Sequence, residues 1–303
     1  MKQLKLHFIL CIMAFQMPLF AQQDAQSSLY FFNPLNYNPA YAGSRGSLNV
    51  TAVNRAQWVG LDGAPRTQFL SIHAPVMKKH LGIGGNLSYD RIGSRTNFTL
   101  MANVAYHLEF KHTDWKVSMG LSGGVQSSQY DFNGLTVIDP TDYNYTTSNQ
   151  IKSPNFGTGI YAYSKNAYIG FSIPRLMQRS YGALSNSYLQ RHYFLATGYV
   201  YHYNSVLDLK PSILIKFTAN APITIDFNLS AHMFKQFWAG IMYRYNSSIG
   251  LNLAYSPNDA WTFGYAYDFP VNHMRFNNWG NHELYLAFDL RSKQAAYVSP
   301  RYF

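Results

Sequence analysis

Phe98-Thr99-Leu100-Met101-Ala102-Asn103-Val104-Ala105-Tyr106-His107-Leu108-Glu109-Phe110 divides by parity. Phe98, Leu100, Ala102, Val104, Tyr106, Leu108 and Phe110 fall on one face of an extended chain. Thr99, Met101, Asn103, Ala105, His107 and Glu109 fall on the other, because successive side chains of a strand point to opposite sides. A strand needs roughly nine to eleven residues to cross a bilayer, and about half that in a soluble sandwich. The run predicts a strand with one face in hydrocarbon and the other in a polar interior.

The same division recurs downstream. Leu207, Leu209, Pro211, Ile213, Ile215 and Phe217 oppose Asp208, Lys210, Ser212, Lys216 and Thr218, with Leu214 the exception. Ile223, Ile225, Phe227, Leu229, Ala231 and Met233 oppose Thr224, Asp226, Asn228, Ser230 and His232. Trp261, Phe263, Tyr265, Tyr267 and Phe269 oppose Thr262, Gly264, Ala266 and Asp268. A Lys or Arg facing lipid at the bilayer midplane costs about 2–4 kcal/mol. The polar face must therefore line a lumen, and Glu109, Asp208, Lys210, Lys216, Asp226, Arg244 and Glu283 are assigned to it.

About fourteen strands are predicted, over 46–58, 66–76, 80–91, 95–111, 113–130, 153–164, 167–174, 190–203, 206–219, 222–234, 236–246, 248–256, 259–270 and 280–291. The long connections, 59–65, 131–152, 175–189 and 271–279, all follow odd strands. Connections after even strands are short, such as Met77-Lys78-Lys79, Phe234-Lys235 and Ser256-Pro257-Asn258. In an antiparallel barrel odd and even connections lie at opposite ends, and outer-membrane barrels carry long loops outside and short turns in the periplasm. The fold expected is an all-β, antiparallel, up-and-down transmembrane β-barrel with both termini periplasmic. Trp58, Trp115, Trp238, Trp261 and Trp279 all lie near strand ends, as an interfacial aromatic girdle requires.

Bulk composition agrees. The chain is 17% aromatic and 13% charged, against about a quarter charged in soluble domains. No apolar run reaches the length of a membrane helix. The charge is +10, of which Lys2 and Lys5 supply two. The remaining cations are scattered, with no cluster or motif suited to nucleic acid. Lys2 and Lys5, the apolar run Phe8–Phe20 and Ala21 read as a secretory signal peptide over 1–21. The one cysteine, Cys11, lies within it, so the mature chain has neither a disulfide framework nor a Cys-based metal site. Residues 22–45 form an irregular segment with Asn33-Pro34 and Asn38-Pro39, either tucked into the barrel or lying at its periplasmic mouth. The barrel covers 46–291, and 292–303 form a periplasmic tail.

No catalytic constellation emerges. Gly120-Leu121-Ser122-Gly123-Gly124 matches a hydrolase pattern that requires a strand-to-helix turn, yet it sits mid-strand, where small residues relieve crowding. His282-Glu283 begins a zinc-protease motif, but Leu286 replaces the second histidine. No catalytic, cofactor or metal residue is assigned.

The hairpin from Asn38 to Val76 carries the remaining signal. Asn38-Pro39-Ala40-Tyr41-Ala42-Gly43, Arg55-Ala56-Gln57-Trp58-Val59-Gly60 and Gly63-Ala64-Pro65-Arg66-Thr67 resemble the N-terminal signature of the PorP/SprF family. Lys210-Pro211-Ser212, Ala221-Pro222, Phe237-Trp238-Ala239-Gly240, Gly264-Tyr265-Ala266-Tyr267-Asp268 and His282-Glu283-Leu284 resemble its later motifs in the same order. Leu290, where an aromatic is expected, and the tail depart from the pattern. The resemblance implies an outer-membrane location beside the type IX secretion system and gliding machinery. The partners it implies are outer-membrane lipid, periplasmic machinery components and a large surface adhesin with a C-terminal sorting domain. Arg55, Asp62 and Arg66 cluster at the first extracellular corner, as a cargo rim or a braced loop. With Trp58, and with Asn38, Pro39 and Tyr41 of the turn or plug, they are the candidate partner contacts. A passive or selective pore is the competing reading, and an outer-membrane lipid enzyme using Ser122, His107 or Glu109 a third.

Overall fold

The computed structural model describes residues 27–76, 80–131, 150–178, 190–219, 221–272 and 278–290. The predicted signal peptide 1–21, the tail 292–303, Met77-Lys78-Lys79 and most of the two longest connections lie outside them. Alternation produces a single antiparallel sheet. Its strands are β1 (Leu48–Ala56), β2 (Arg66–Val76), β3 (Leu81–Ile92), β4 (Arg95–Glu109), β5 (Lys116–Tyr130), β6 (Gln150–Tyr163), β7 (Ala167–Ile173), β8 (His192–Tyr199), β9 (Tyr201–His202), β10 (Leu207–Thr218), β11 (Thr224–Met233), β12 (Phe237–Arg244), β13 (Ser248–Tyr255), β14 (Trp261–Pro270) and β15 (Asn281–Leu290).

β8 and β9 are two pieces of one stave, interrupted at Val200, and both pair with β10. The barrel therefore has fourteen staves. Each pairs with its sequence neighbour, and β1 closes on β15 from Leu48↔Leu290 to Ala56↔His282. Closure removes every unpaired edge, which a bilayer cannot tolerate.

The faces follow the parity of the sequence. Met101, Asn103, Ala105 and His107 are buried, whereas Leu100, Val104, Tyr106 and Leu108 are exposed. Leu121, Val125, Phe156, Ile160, Ile241, Leu251 and Leu253 extend that exposed apolar surface around the cylinder. A continuous belt of this kind is far beyond what a protein exposes to water and fits the hydrocarbon of a membrane. Lumen-facing Leu214, the exception noted in the sequence, is 2% exposed.

The strand ends that lead into the long connections after β1, β5, β7 and β14 share one end of the cylinder, together with the short β3–β4, β10–β11 and β12–β13 connections, and the connections after β2, β4, β6, β9, β11 and β13, all short, leave from the other. Trp115, Trp261 and Trp279 are exposed at strand ends, and Trp58 is half-buried at the end of β1. Trp238 corrects the girdle expectation. It is 3% exposed and points into the lumen, stacked on His232 of β11 with ring centroids 4.1 Å apart.

Candidate functional site

The lumen is occupied by the chain's own residues 27–45, here called the strap. Its conformation follows from local chemistry. Proline fixes φ near −65° and suits the first position of a helical turn, and the residue before it is pushed out of the helical region. Two Asn-Pro pairs therefore punctuate the segment into short 3-10 turns at Tyr30–Phe32, Pro34–Asn36 and Pro39–Tyr41. Asn38 caps the third, its side chain accepting the Ala40 N–H at 3.0 Å.

The strap runs from one end of the barrel to the other. At the long-loop end Glu283 accepts the backbone N–H of Ser28 at 2.8 Å and of Leu29 at 3.1 Å, and the hydroxyl of Ser27. Halfway, Ser71 donates to Asn33 Oδ1 at 2.8 Å, and Ser172 to the Tyr37 carbonyl at 2.6 Å. Lower, Asn38 Nδ2 donates to the Ile160 carbonyl at 3.1 Å and Ser118 to the Ala40 carbonyl at 2.6 Å. His107 Nε2 donates to the Ala42 carbonyl at 2.8 Å, and the Gly43 N–H to His73 Nδ1 at 3.1 Å. At the short-turn end Arg45 Nη1 donates to Asp289 at 3.0 Å. The wall side chains thus supply the partners that irregular backbone needs when it is shut away from water.

Ser27 and Leu290 consequently lie at opposite ends of the barrel. Both termini, expected on the short-turn side, lie outside the described residues. The strand alternation that located Leu290 carries no information about a segment that threads the interior.

Backbone-to-backbone contact explains several glycines. A Cβ on Gly120 would stand 2.2 Å from the Ala40 nitrogen, and one on Gly82 would stand 1.9 Å from the Ala42 oxygen. Gly43 has φ +78°, a region that favours glycine, and its Cβ would meet the Gly82 Cα at 2.6 Å. Of the small-residue run at 120–124, Gly120 is the one that meets the strap, and a Cβ on Gly124 would instead stand 2.0 Å from the Leu100 oxygen of β4. Ser122 lies within β5, not on a strand-to-helix turn.

Two charged networks hold the upper strap. Arg55, 1% exposed, donates from Nη1 to Glu283 at 2.9 Å and to the Ser28 hydroxyl at 2.6 Å, and from Nη2 to Asp268 at 3.0 Å. Asp268 also accepts the Ser28 hydroxyl. Beside it, Asp226 accepts Lys216 at 2.8 Å and Arg244 Nε at 2.9 Å. Three cations thus balance three carboxylates, all buried, which is the condition for retaining charge in a low-dielectric interior.

In the centre, Lys210, 1% exposed, lies 5.5, 5.8 and 5.9 Å from the ring centroids of Phe31, Tyr168 and Trp238. Phe32 packs on Trp238 and Tyr285 at 5.7 and 5.1 Å. Lys210→Ala removes a buried stem and its cation–π contacts and is expected to destabilise the barrel by about 2–4 kcal/mol, read as the shift of the urea midpoint in lipid vesicles. An unshifted midpoint would show that the strap does not depend on this residue.

The structure separates the other predicted positions. Asp62 and Arg66 are exposed at the long-loop end. Trp58 is tied there by its N–H to Asn281 Oδ1 at 2.9 Å. Arg55 corrects the rim reading, since it points into the lumen. Asn38, Pro39 and Tyr41 are buried inside the cylinder, out of reach of a docking protein. Asp208 faces inward near the short-turn end and pairs with His202 at 2.6 Å. Glu109 corrects the lumen assignment: its parity is inward, but it sits at the end of β4, largely exposed, paired with Lys116 at 2.6 Å. Sequence reasoning missed Ser27, Ser28, Arg45 and Asp289, whose roles exist only once the strap is inside. Among the described residues no group of His, Cys, Asp or Glu has metal-binding geometry.

The family described as type IX secretion system membrane protein PorP/SprF matches residues 19–288. Among solved structures, the CymD monoaromatic hydrocarbon channel is similar with a TM-score of 0.51 at 12% identity, over 84% of this chain and 92% of that one. The outer membrane protein Omp33 of Acinetobacter baumannii matches with a TM-score of 0.47 at 9% identity, over 80% and 98%. At such identities CymD speaks for the fold alone, an outer-membrane barrel. No curated protein matches the chain.

Proposed function

Because the chain belongs to the PorP/SprF family of type IX secretion system membrane proteins, we propose that this outer-membrane barrel is a non-catalytic accessory of that system. In this reading it supports secretion or anchoring of a large cell-surface adhesin bearing a C-terminal sorting domain, and with it gliding motility. The observation that carries the reading is the strap: a barrel whose lumen is filled by its own bonded backbone serves as a rigid scaffold between two compartments, not as a conduit. Its long connections offer one docking end, where Asp62 and Arg66 are exposed, and its short turns offer periplasmic machinery the other.

Deleting the protein is expected to leave bulk type IX export running while one adhesin fails to reach the surface. Affinity capture from membranes should recover a sorting-domain adhesin with periplasmic components. Full surface display of every cargo in the deletion strain would remove the proposal.

Orientation has its own test. With Cys11 replaced or cleaved away, a membrane-impermeant maleimide added to intact cells is expected to label Asp62→Cys and to leave Ser205→Cys, on the β9–β10 turn, unlabelled until the outer membrane is opened. The reverse pattern would turn the barrel over and move the proposed adhesin-facing end to the short turns.

A further inference from the structure

Arg66 of β2 and Arg91 of β3 stand directly opposite each other in the ladder, both exposed, at the long-loop end. Their direction follows from their neighbours. Thr67 and Asp90 are buried in the lumen, where the Thr67 hydroxyl donates to Asp90 at 2.6 Å, so the two arginines point outward from the wall. Like charges directly opposite on two strands repel, and among the described residues neither guanidinium joins an ion pair. The Gly93 N–H donates to the Gly63 carbonyl at 2.8 Å. That bond ties the β1–β2 connection to the β3–β4 turn and holds the two strand ends together.

Depth in the membrane is set by the rows below. Two residues toward the middle, about 7 Å along the strand, Gln68 faces Tyr89, and Tyr89 faces Phe98 of β4. In the next row Leu70, Leu87 and Leu100 are aligned. Leucines in hydrocarbon and an aromatic pair above them mark the girdle, and the arginines stand one row beyond it, level with lipid headgroups. Lys152, exposed on β6, reaches the Phe98 row through Ser127. Across the barrel the same rim is apolar, with Phe217, Ile223, Ile249 and Phe269 exposed. The outward cations are therefore gathered on one side of the wall.

A guanidinium presents a planar fork that matches phosphate oxygens two at a time. A phosphate monoester between two such forks supplies the anion that their mutual repulsion calls for. Because the pair faces sideways at headgroup depth, a lipid meets it in the plane of the bilayer. The long loops of an outer-membrane barrel lie outside, where the leaflet is built of phosphorylated glycolipid.

We propose that Arg66 and Arg91 hold the phosphate of one outer-leaflet glycolipid at a fixed place on the barrel wall. This gives Arg66 to lipid and leaves Asp62 to a protein partner. The site rests on the long loops facing outward, which the maleimide labelling tests separately, and is independent of the adhesin.

The test is native mass spectrometry of the full-length barrel in detergent. The probes are diphosphoryl lipid A, phosphatase-treated lipid A, phosphatidylglycerol, inorganic phosphate and hexaglutamate. Diphosphoryl lipid A is expected to bind at least about tenfold more tightly than each of the others. Its affinity should fall about tenfold or more when Arg66→Gln and Arg91→Gln are combined. Arg66→Lys with Arg91→Lys should lose part of it, since lysine keeps the charge but not the fork. Lys165→Gln, exposed at the short-turn end, should change nothing, and every variant should keep the heat-modifiable mobility of a folded barrel. Equal binding of phosphatase-treated lipid A or of phosphatidylglycerol overturns the assignment, as does unchanged affinity in the double glutamine variant. Inorganic phosphate binding as tightly as lipid A would reassign the pair to a free anion, and tighter binding of hexaglutamate to an acidic protein, and either result sinks the lipid site.

Discussion

Arg55→Ala is expected to destabilise the barrel by about 3–5 kcal/mol, the cost of leaving buried charge without its partner. Arg55 sits directly across the β1–β15 seam from Glu283 and reaches Asp268 on β14, so one side chain joins three staves. It also holds Ser28, and through Glu283 the first backbone groups of the strap. Removing it leaves two adjacent carboxylates facing each other in the interior, at the seam where the sheet closes. Unfolding by urea in lipid vesicles and the loss of heat-modifiable mobility on gels both report the change. Neutralising the whole cluster by Arg55→Met, Asp268→Asn and Glu283→Gln removes the charge with the partner and should recover most of the loss. A single Arg55→Ala variant within about 0.5 kcal/mol of wild type, the range of ordinary surface changes, would show that the network does not secure the seam.

That residue also shows where a reading of the sequence stops. The barrel is legible because membrane crossing imposes a period of two on every strand, and each period can be read locally. β4, β10, β11 and β14 follow their predicted faces, with Glu109 at the end of β4 the exception. Proximity to Gly60 and Pro65 suggests a corner for Arg55. Continuing the parity of Asn49 and Thr51, both buried, through Val53 would have carried it inward. Trp238 failed for the converse reason: residue type was allowed to outrank parity, although Gly240, Met242 and Arg244 alternate with it on the same strand. The strap's turns were legible in Asn33-Pro34 and Asn38-Pro39. Its path was not, because threading a lumen is a relation between a segment and the whole closed sheet. The trace it left was indirect, in glycines such as Gly82 and Gly120 on strands that otherwise favour larger side chains. Glu109 marks a different limit, since alternation says which way a side chain points but not where the membrane ends.

Purified barrel in planar bilayers is expected to be silent, and loosening the strap to make it conduct. Arg55 and Asn49, at the two ends of β1, are separated by about 20 Å of strand, and strap residues bond to the wall along that whole span. Fourteen staves enclose more room than an eight-stranded barrel can fill with its own inward side chains, so the strap is what closes this one. Deleting residues 27–44 removes it outright. Gly82→Val with Gly120→Val keeps the chain intact but places branched side chains where the Ala42 and Ala40 backbone now lies. Overpacking of this kind costs about 1–3 kcal/mol per site, enough to displace the lower strap while the upper end stays bound to Glu283. Both variants should give discrete current steps where wild type gives none, and the double-valine protein should keep the barrel's gel mobility. Steady conductance in the wild-type protein, or silence in a folded strap-deleted barrel, would each break the link between the strap and closure. The first result would also favour a pore over a scaffold, since a plugged cylinder can hold partners on its rims but cannot pass ions through its centre.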